Sequence, residues 1–205
     1  MTRKYHKTQG FTLIELLVVI GIIAVIAGLA VPTLFSARRS ANELKCAVNL
    51  RGLHGAAMQY SERKRGAFPF ARAQDARAHD SLNALLSSRE GRELTPELFM
   101  CPESGLGVAF KDEEERGAGF LLDDQTNSYA WIVQRVQNTK KAWLASDKYV
   151  QGIDYGDGEE HGGHIDILQV LDTSGRVHKV DVNDPDDQAK FGLDNDELLP
   201  TGLTR

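Results

Sequence analysis

The chain has 205 residues, a formal net charge of −5 and two cysteines. Three of its basic side chains (Arg3, Lys4 and Lys7) fall in the first ten residues, where no acid occurs, so the remainder carries −8. An acidic body of this size argues against nucleic acid as the main partner, because phosphate binding needs a positive field, and two cysteines do not make a disulfide-dense scaffold.

The basic opening, residues 1–10, leads into an apolar run over residues 11–35 whose only charged side chain is Glu15. About 20 residues at a rise of about 1.5 Å each span a bilayer, so the run is long enough to cross one. It exceeds the apolar core of an ordinary secretory signal, and no small-x-small cleavage site closes it. A plain single-span anchor explains the length and the basic flank on the cytoplasmic side. It does not explain a carboxylate at the fifth residue, which is costly in lipid.

The segment Gly10-Phe11-Thr12-Leu13-Ile14-Glu15-Leu16-Leu17-Val18-Val19-Ile20 resembles the cleavage and methylation motif of type IV pilins and type II secretion pseudopilins. The resemblance implies that a prepilin peptidase cuts after Gly10 and methylates the new N-terminus at Phe11. It also implies that Glu15 pairs with the α-amino group of a neighbouring Phe11 during assembly. Chemistry supports such a role, since an ammonium offsets the desolvation of the carboxylate, and negative charge suits the first turn of a helix.

Pro32 interrupts a run that should otherwise stay helical, and a kink is expected there rather than a stop. Beyond it, residues 36–65 are rich in helix formers. Cys46, Leu50, Leu53, Ala57 and Tyr60 recur at spacings of four, three, four and three, one apolar stripe on an amphipathic helix. Gly66 ends the pattern, and Phe68-Pro69-Phe70 reads as extended. Residues 71–78 read as loop or weak helix, and Asp80 or Ser81 can cap a short helix holding Leu82, Leu85 and Leu86. Residues 93–107, with Pro96 and Pro102, read as irregular, and residues 111–119 as a charged, solvated loop.

The C-terminal half is strand-rich. Residues 128–136 have strand composition, and residues 165–171 and 176–182 form a hairpin around Gly175, which can supply positive φ in the turn. The first hairpin strand is apolar on both faces, which suggests a central strand covered by the helix. After it, residues 183–188 read as a further turn and the tail as polar.

Further motifs resemble a large bacterial group of prepilin-like proteins that is numerous in planctomycetes and their relatives. They are Cys46-x-x-Asn49-Leu50-Arg51-x-Leu53, Gly66-x-Phe68-Pro69, Phe99-x-Cys101-Pro102, Asn127-Ser128-Tyr129 and His161-Gly162-Gly163-His164. Many members carry Asp-Gly-His-Val in the hairpin turn, where this chain has Ser174-Gly175-Arg176-Val177. The expected fold is α+β and pilin-like, a long N-terminal helix packed on a small antiparallel sheet. The expected organisation is a cleaved leader (1–10), a transmembrane and assembly helix (11–35), its amphipathic continuation (36–65) and an extracytoplasmic globular domain (66–205).

Candidate sites are few. If Cys46 and Cys101 meet, a bridge would close a loop of about 55 residues and contribute roughly 2–4 kcal/mol; otherwise they are two buried thiols. His161 and His164 could offer imidazoles to a metal, but two ligands alone make a poor zinc site, and a glycine-rich turn accounts for the segment. Asp181, Asn183, Asp184, Asp186 and Asp187 form an oxygen-rich cluster compatible with calcium, which major pseudopilins bind in a C-terminal loop. It lacks EF-hand spacing, and acids that simply face water are the simpler explanation. Asp154, Asp157, Glu159 and Glu160 make a second, sparser acidic cluster. No nucleophile elbow, phosphate-binding loop or metalloprotease motif is present, so a non-enzyme is expected.

The resemblance implies a pilin or pseudopilin subunit of a type IV pilus-like filament or secretion pseudopilus. Its expected partners are prepilin peptidase, other subunits and an inner-membrane assembly platform, and its expected location is single-pass in the inner membrane with the N-terminus inside. The alternative is a membrane-tethered binding or surface protein that keeps the signal without forming a filament.

Overall fold

The computed structural model describes residues 11–73, 75–104, 121–123, 126–148, 150–151, 163–193, 199–200 and 203–204. The expected leader, the charged loop at 111–119, His161 and the acidic cluster at 154–160 lie outside the described residues. The chain divides into two units, Met1–Ser40 and Ala41–Arg205.

The first unit is one end of the long helix α1, Leu13–Arg63. Thr12 and Glu15 start it. The Glu15 Oε2 accepts from the Thr12 backbone N–H at 2.8 Å and from its hydroxyl at 2.7 Å, while Thr12 Oγ1 accepts from the Glu15 N–H at 3.3 Å. This reciprocal arrangement is a capping box, and the Thr-x-x-Glu spacing that signals it is plain in the sequence. The helix continues through Pro32, as expected. Around it the Thr33 and Ser36 hydroxyls donate to the carbonyls of Ala30 and Thr33, back-bonding of the kind that bends a helix. From Phe11 to Phe35 the large apolar side chains are exposed on every side of the helix.

In the second unit, the expected stripe faces a core. Cys46, Leu50, Leu53 and Ala57 are fully buried, and Tyr60 is half-buried. The helix ends where Arg65 and Gly66 take positive φ (56° and 80°), and the Gly66 N–H closes on the Ser61 carbonyl at 2.7 Å. That left-handed ending favours glycine and satisfies a terminal carbonyl.

Helix α2, Ala78–Leu86, begins earlier than its expected cap, because Asp80 acts from inside the first turn and accepts the Arg77 N–H at 2.9 Å. A single 3-10 turn, Pro96–Phe99, breaks the otherwise irregular stretch. The strands are β1 Tyr129–Ile132, β2 Trp143–Asp147, β3 Val150–Gln151, β4 His164–Ile165, β5 Ile167–Asp172, β6 Val177–Asp181 and β7 Leu203–Thr204. Five of them form an antiparallel sheet in the order β6-β5-β2-β1-β7. The expected hairpin is β5–β6, with Gly175 at φ 84° in its turn. The middle strand is β2, flanked by β5 and β1. Strand β1 is shorter than the composition of residues 128–136 suggests.

Helix α1 packs on this sheet: Cys46, Leu50, Leu53 and Ala57 share one cluster with Tyr129, Trp131, Leu144, Ala145 and Leu171. Leu168 and Val170, two apart on β5 and opposite in parity to Leu171, join Val180, Val182 and Phe191 in a second cluster, as the two-residue period of a strand requires. Phe191 ends α3, Pro185–Phe191, a helix where a turn is expected. Asp184 caps it by accepting the Asp186 N–H, and Gly192 closes it at φ 61°. The whole is the α+β arrangement of a long helix on a small antiparallel sheet.

Candidate functional site

The described residues place two chemically distinct features on the chain, and α1 contributes to both. The first is the exposed apolar helix with Glu15 at its start. The carboxylate there is engaged by Thr12 through Oε2 alone.

The second is a buried cluster in the Ala41–Arg205 unit. Cys46 on α1, Cys101 just past the 3-10 turn, Asp147 at the end of β2 and His164 at the start of β4 converge, with one ligand-type atom from each within 4.8 Å of the others. None of the four residues is more than 4% exposed. The elements set these positions. Cys46 opens the buried stripe of α1. Asp147 is held opposite Tyr129 in the β1–β2 register, and His164 is aligned with Val150 in a short parallel pairing.

Each member is also fixed by hydrogen bonds. The Cys46 thiol donates to Asp147 Oδ1 at 2.8 Å, and Cys101 Sγ lies 3.4 Å from His164 Nε2. The remaining positions face outward to further partners. Asp147 Oδ2 accepts the Gln169 N–H at 2.8 Å, and His164 Nδ1 meets Glu103 Oε2 at 3.0 Å. The other Glu103 oxygen accepts from Asn42 Nδ2 at 3.1 Å.

Proton affinities inside the cluster diverge. Burial pushes the Cys46 thiol well up. The adjoining Cys46 thiol draws Cys101 down against its burial, helped by His164. Burial lowers His164, but the bond to Cys101 and the Asp147 charge outweigh it and raise the imidazole to about 9. Burial, reinforced by Cys101, lifts Asp147 to about 7. Four groups thus compete for few protons in a space closed to water.

Cys46 and Cys101, read from the sequence as a bridge or two buried thiols, come together here as free thiols. Of the two histidines considered for a metal, His164 sits in the cluster and His161 lies outside the described residues. Its companions are Cys46, Cys101 and Asp147, a grouping that sequence spacing does not offer, and Asp147 carries no local signal at all. The acidic run after β6 serves the chain's own turns. Asp187 accepts the Asp181 N–H, Asp181 that of Asn183, and Asp184 that of Asp186.

Among the described residues, two arrangements hold catalytic residue types, and neither has the geometry of a working relay. Cys101 and His164 are a nucleophile and a base by type, but no substrate reaches atoms so enclosed. On the surface, Asp172 lies between Ser174 Oγ (2.6 Å) and His178 Nε2 (2.9 Å). The carboxylate, not the imidazole, therefore contacts the hydroxyl, the reverse of a nucleophile–base–acid relay.

Over residues 5–31 the chain matches the prokaryotic N-terminal methylation motif. Its N-terminal segment is pilin-like. Over 38 residues it is 57% identical to the type IV wide pilus major component PilA4 of Thermus thermophilus, a stretch covering 18% of this chain and 29% of that protein. No solved structure matches. The pilin-like classification thus rests on the N-terminal segment that carries Phe11 and Glu15. The buried Cys-Cys-Asp-His cluster lies beyond residue 31, outside the matched motif.

Proposed function

We propose that the chain is a filament subunit, a pseudopilin or pilin, that assembles through its N-terminal helix after cleavage following Gly10 and methylation of Phe11. The observation that carries this reading is the first part of α1, from Leu13 to Phe35, which apart from Glu15 is apolar and exposed on every face. A helix of that kind needs an apolar environment all round, and it is the one helix among the described residues long and apolar enough to cross a membrane. Before assembly that environment is the bilayer, with the basic residues Arg3, Lys4 and Lys7 on the cytoplasmic side and the sheet domain outside. After assembly it is the helices of other subunits.

Glu15 then has two duties. In the single chain it caps its own helix through Thr12. In a filament its carboxylate meets the α-amino group of a neighbouring Phe11, which sets the register between subunits. Prepilin peptidase and an inner-membrane platform are the partners such a route requires.

The test is Glu15→Lys in the native host. Loss of filament assembly or of secretion, with the protein still processed and membrane-bound, supports the reading. Unimpaired assembly leaves the membrane-tethered surface protein as the better account. Mass spectrometry of the mature N-terminus provides a separate check, and any start other than methylated Phe11 removes the processing claim.

A further inference from the structure

We propose that Cys46, Cys101, Asp147 and His164 form a structural zinc site that pins the second half of α1 to the sheet. The inference does not depend on filament assembly.

The donor set suits the ion. Two thiolates, one imidazole and one carboxylate make a borderline-soft, four-ligand group of the kind zinc prefers over calcium or magnesium. The geometry suits it as well. Bonds of about 2.3 Å to sulfur and about 2.0–2.1 Å to nitrogen and oxygen give tetrahedral edges of roughly 3.3–3.8 Å. The four donor atoms already lie within 4.8 Å of one another, and Cys101 Sγ is 3.4 Å from His164 Nε2. The 2.8 Å contact from Cys46 to Asp147 is a thiol hydrogen bond, and it opens by less than an ångström when the proton leaves. Binding releases to solvent the Cys46 thiol proton and the proton shared by Cys101 and His164, and changes no oxidation state.

The outer contacts are those of a metal site. His164 turns Nε2 inward while Nδ1 meets Glu103, the carboxylate–histidine pairing that orients a ligating imidazole. Asp147 offers Oδ1 while Oδ2 is held by the Gln169 N–H, which leaves it one oxygen to give. The Tyr129 hydroxyl, buried within reach of Cys46, completes no hydrogen bond of good geometry. A Cys46 thiolate would supply the acceptor it lacks.

Burial of all four ligands leaves no position open to a substrate, so the site is structural rather than catalytic. Its ligands come from distant parts of the chain, 101 residues apart for Cys46 and Asp147 and 63 for Cys101 and His164. One ion would therefore tie α1, the segment after the 3-10 turn, β2 and β4 together.

The experiment uses the full chain in detergent, reduced, stripped with chelator and titrated with cobalt(II) and then zinc(II). The expected result is one cobalt per chain, with a thiolate charge-transfer band and tetrahedral visible bands that zinc abolishes, and a higher melting temperature with zinc. Glu103→Gln, at a partly exposed side chain outside the ligand set, should keep the one-to-one stoichiometry and weaken zinc binding about 10- to 100-fold. Cys46→Ser with Cys101→Ser should abolish the charge-transfer band and the zinc-dependent melting shift together.

Three results overturn the proposal. One is reduced protein that gives neither band nor melting shift at stoichiometric metal. Another is a zinc-dependent melting shift that survives the double serine variant, which would place the ion elsewhere. The third is a Cys46–Cys101 disulfide in protein trapped by alkylation before lysis, because the oxidised pair has no thiolates to give.

Discussion

Asp172 anchors the β5–β6 turn, and its replacement by asparagine tests whether that turn is held by charge. Its Oδ1 accepts from the Ser174 N–H at 2.8 Å, the Ser174 hydroxyl at 2.6 Å and the Arg176 N–H at 3.1 Å, while Oδ2 faces His178 Nε2 at 2.9 Å. Burial alone would raise this carboxyl. The hydrogen bonds from Ser174, His178 and Arg176 outweigh it and hold the group at about 2, against 3.8 for a free aspartate. A carboxylate depressed in the folded state adds stability above its unfolded value and loses that stability as the pH falls toward the folded value.

The drop of nearly two units corresponds to roughly 2.5 kcal/mol at neutral pH. The side chain is 21% exposed, so screening reduces the expectation to about 1–2 kcal/mol. Urea unfolding followed by fluorescence of Trp131 and Trp143 should show Asp172→Asn less stable by that amount at pH 7. The gap should narrow between about pH 4 and pH 2, where the wild-type carboxylate also becomes neutral. Carboxylates common to both proteins cancel in the difference. A gap that stays constant from pH 7 to pH 2, or one smaller than about 0.3 kcal/mol throughout, would refute charge-held anchoring.

Leu53→Ala should cost about 2–5 kcal/mol in the same assay, because the side chain is fully buried between α1 and the sheet and leaves a cavity; a cost below 1 kcal/mol would mean that the helix does not pack there. Gly91→Ala should cost about 1–3 kcal/mol, since a Cβ at that position collides with the Leu85 carbonyl oxygen and the Leu86 Cα, which are backbone atoms with little room to yield. Unchanged stability would show that the α2 exit differs from this account. Thr12→Val removes the cap hydroxyl but keeps the backbone N–H and the Glu15 charge, so electron microscopy should still find filaments where Glu15→Lys has none. If the two variants fail alike, Glu15 acts only through its cap.

The parts of this fold that were legible in the sequence are those whose determinants sit close together in the chain. The apolar stripe from Cys46 to Tyr60, the stop at Gly66 and the hairpin around Gly175 each follow from residues a few positions apart, and each stands where it was expected. The Thr12–Glu15 box is equally local, but a carboxylate inside an apolar run has a second explanation in a charged partner, so the spacing alone does not single out a cap. Strand β2 escaped because Trp-Leu-Ala-Ser-Asp has no β-branched residue and no clean alternation; its place in the middle of the sheet comes from β1 and β5 on either side. Helix α3 reads as a turn through Asn-Asp-Pro-Asp-Asp, yet the same Asp184 and Pro185 are a good helix start once Phe191 has a core to join.

The buried cluster lies at the opposite extreme, since its four members share no spacing and meet only when the sheet forms. Its position on α1 gives the clustering a mechanical meaning. Cys46 is the first fully buried residue along the helix, ahead of Leu50, Leu53 and Ala57. Just before it, the domain's grip consists of an Asn42–Glu103 hydrogen bond and a Glu43–Lys179 ion pair at 2.7 Å whose lysine is more than half exposed, contacts worth little each. A helix held at one end only by such contacts opens from that end first. Four converging ligands at Cys46 are therefore placed where a cross-link does the most to keep the helix seated. A cross-link near Ala57 would reinforce a region that apolar burial already secures.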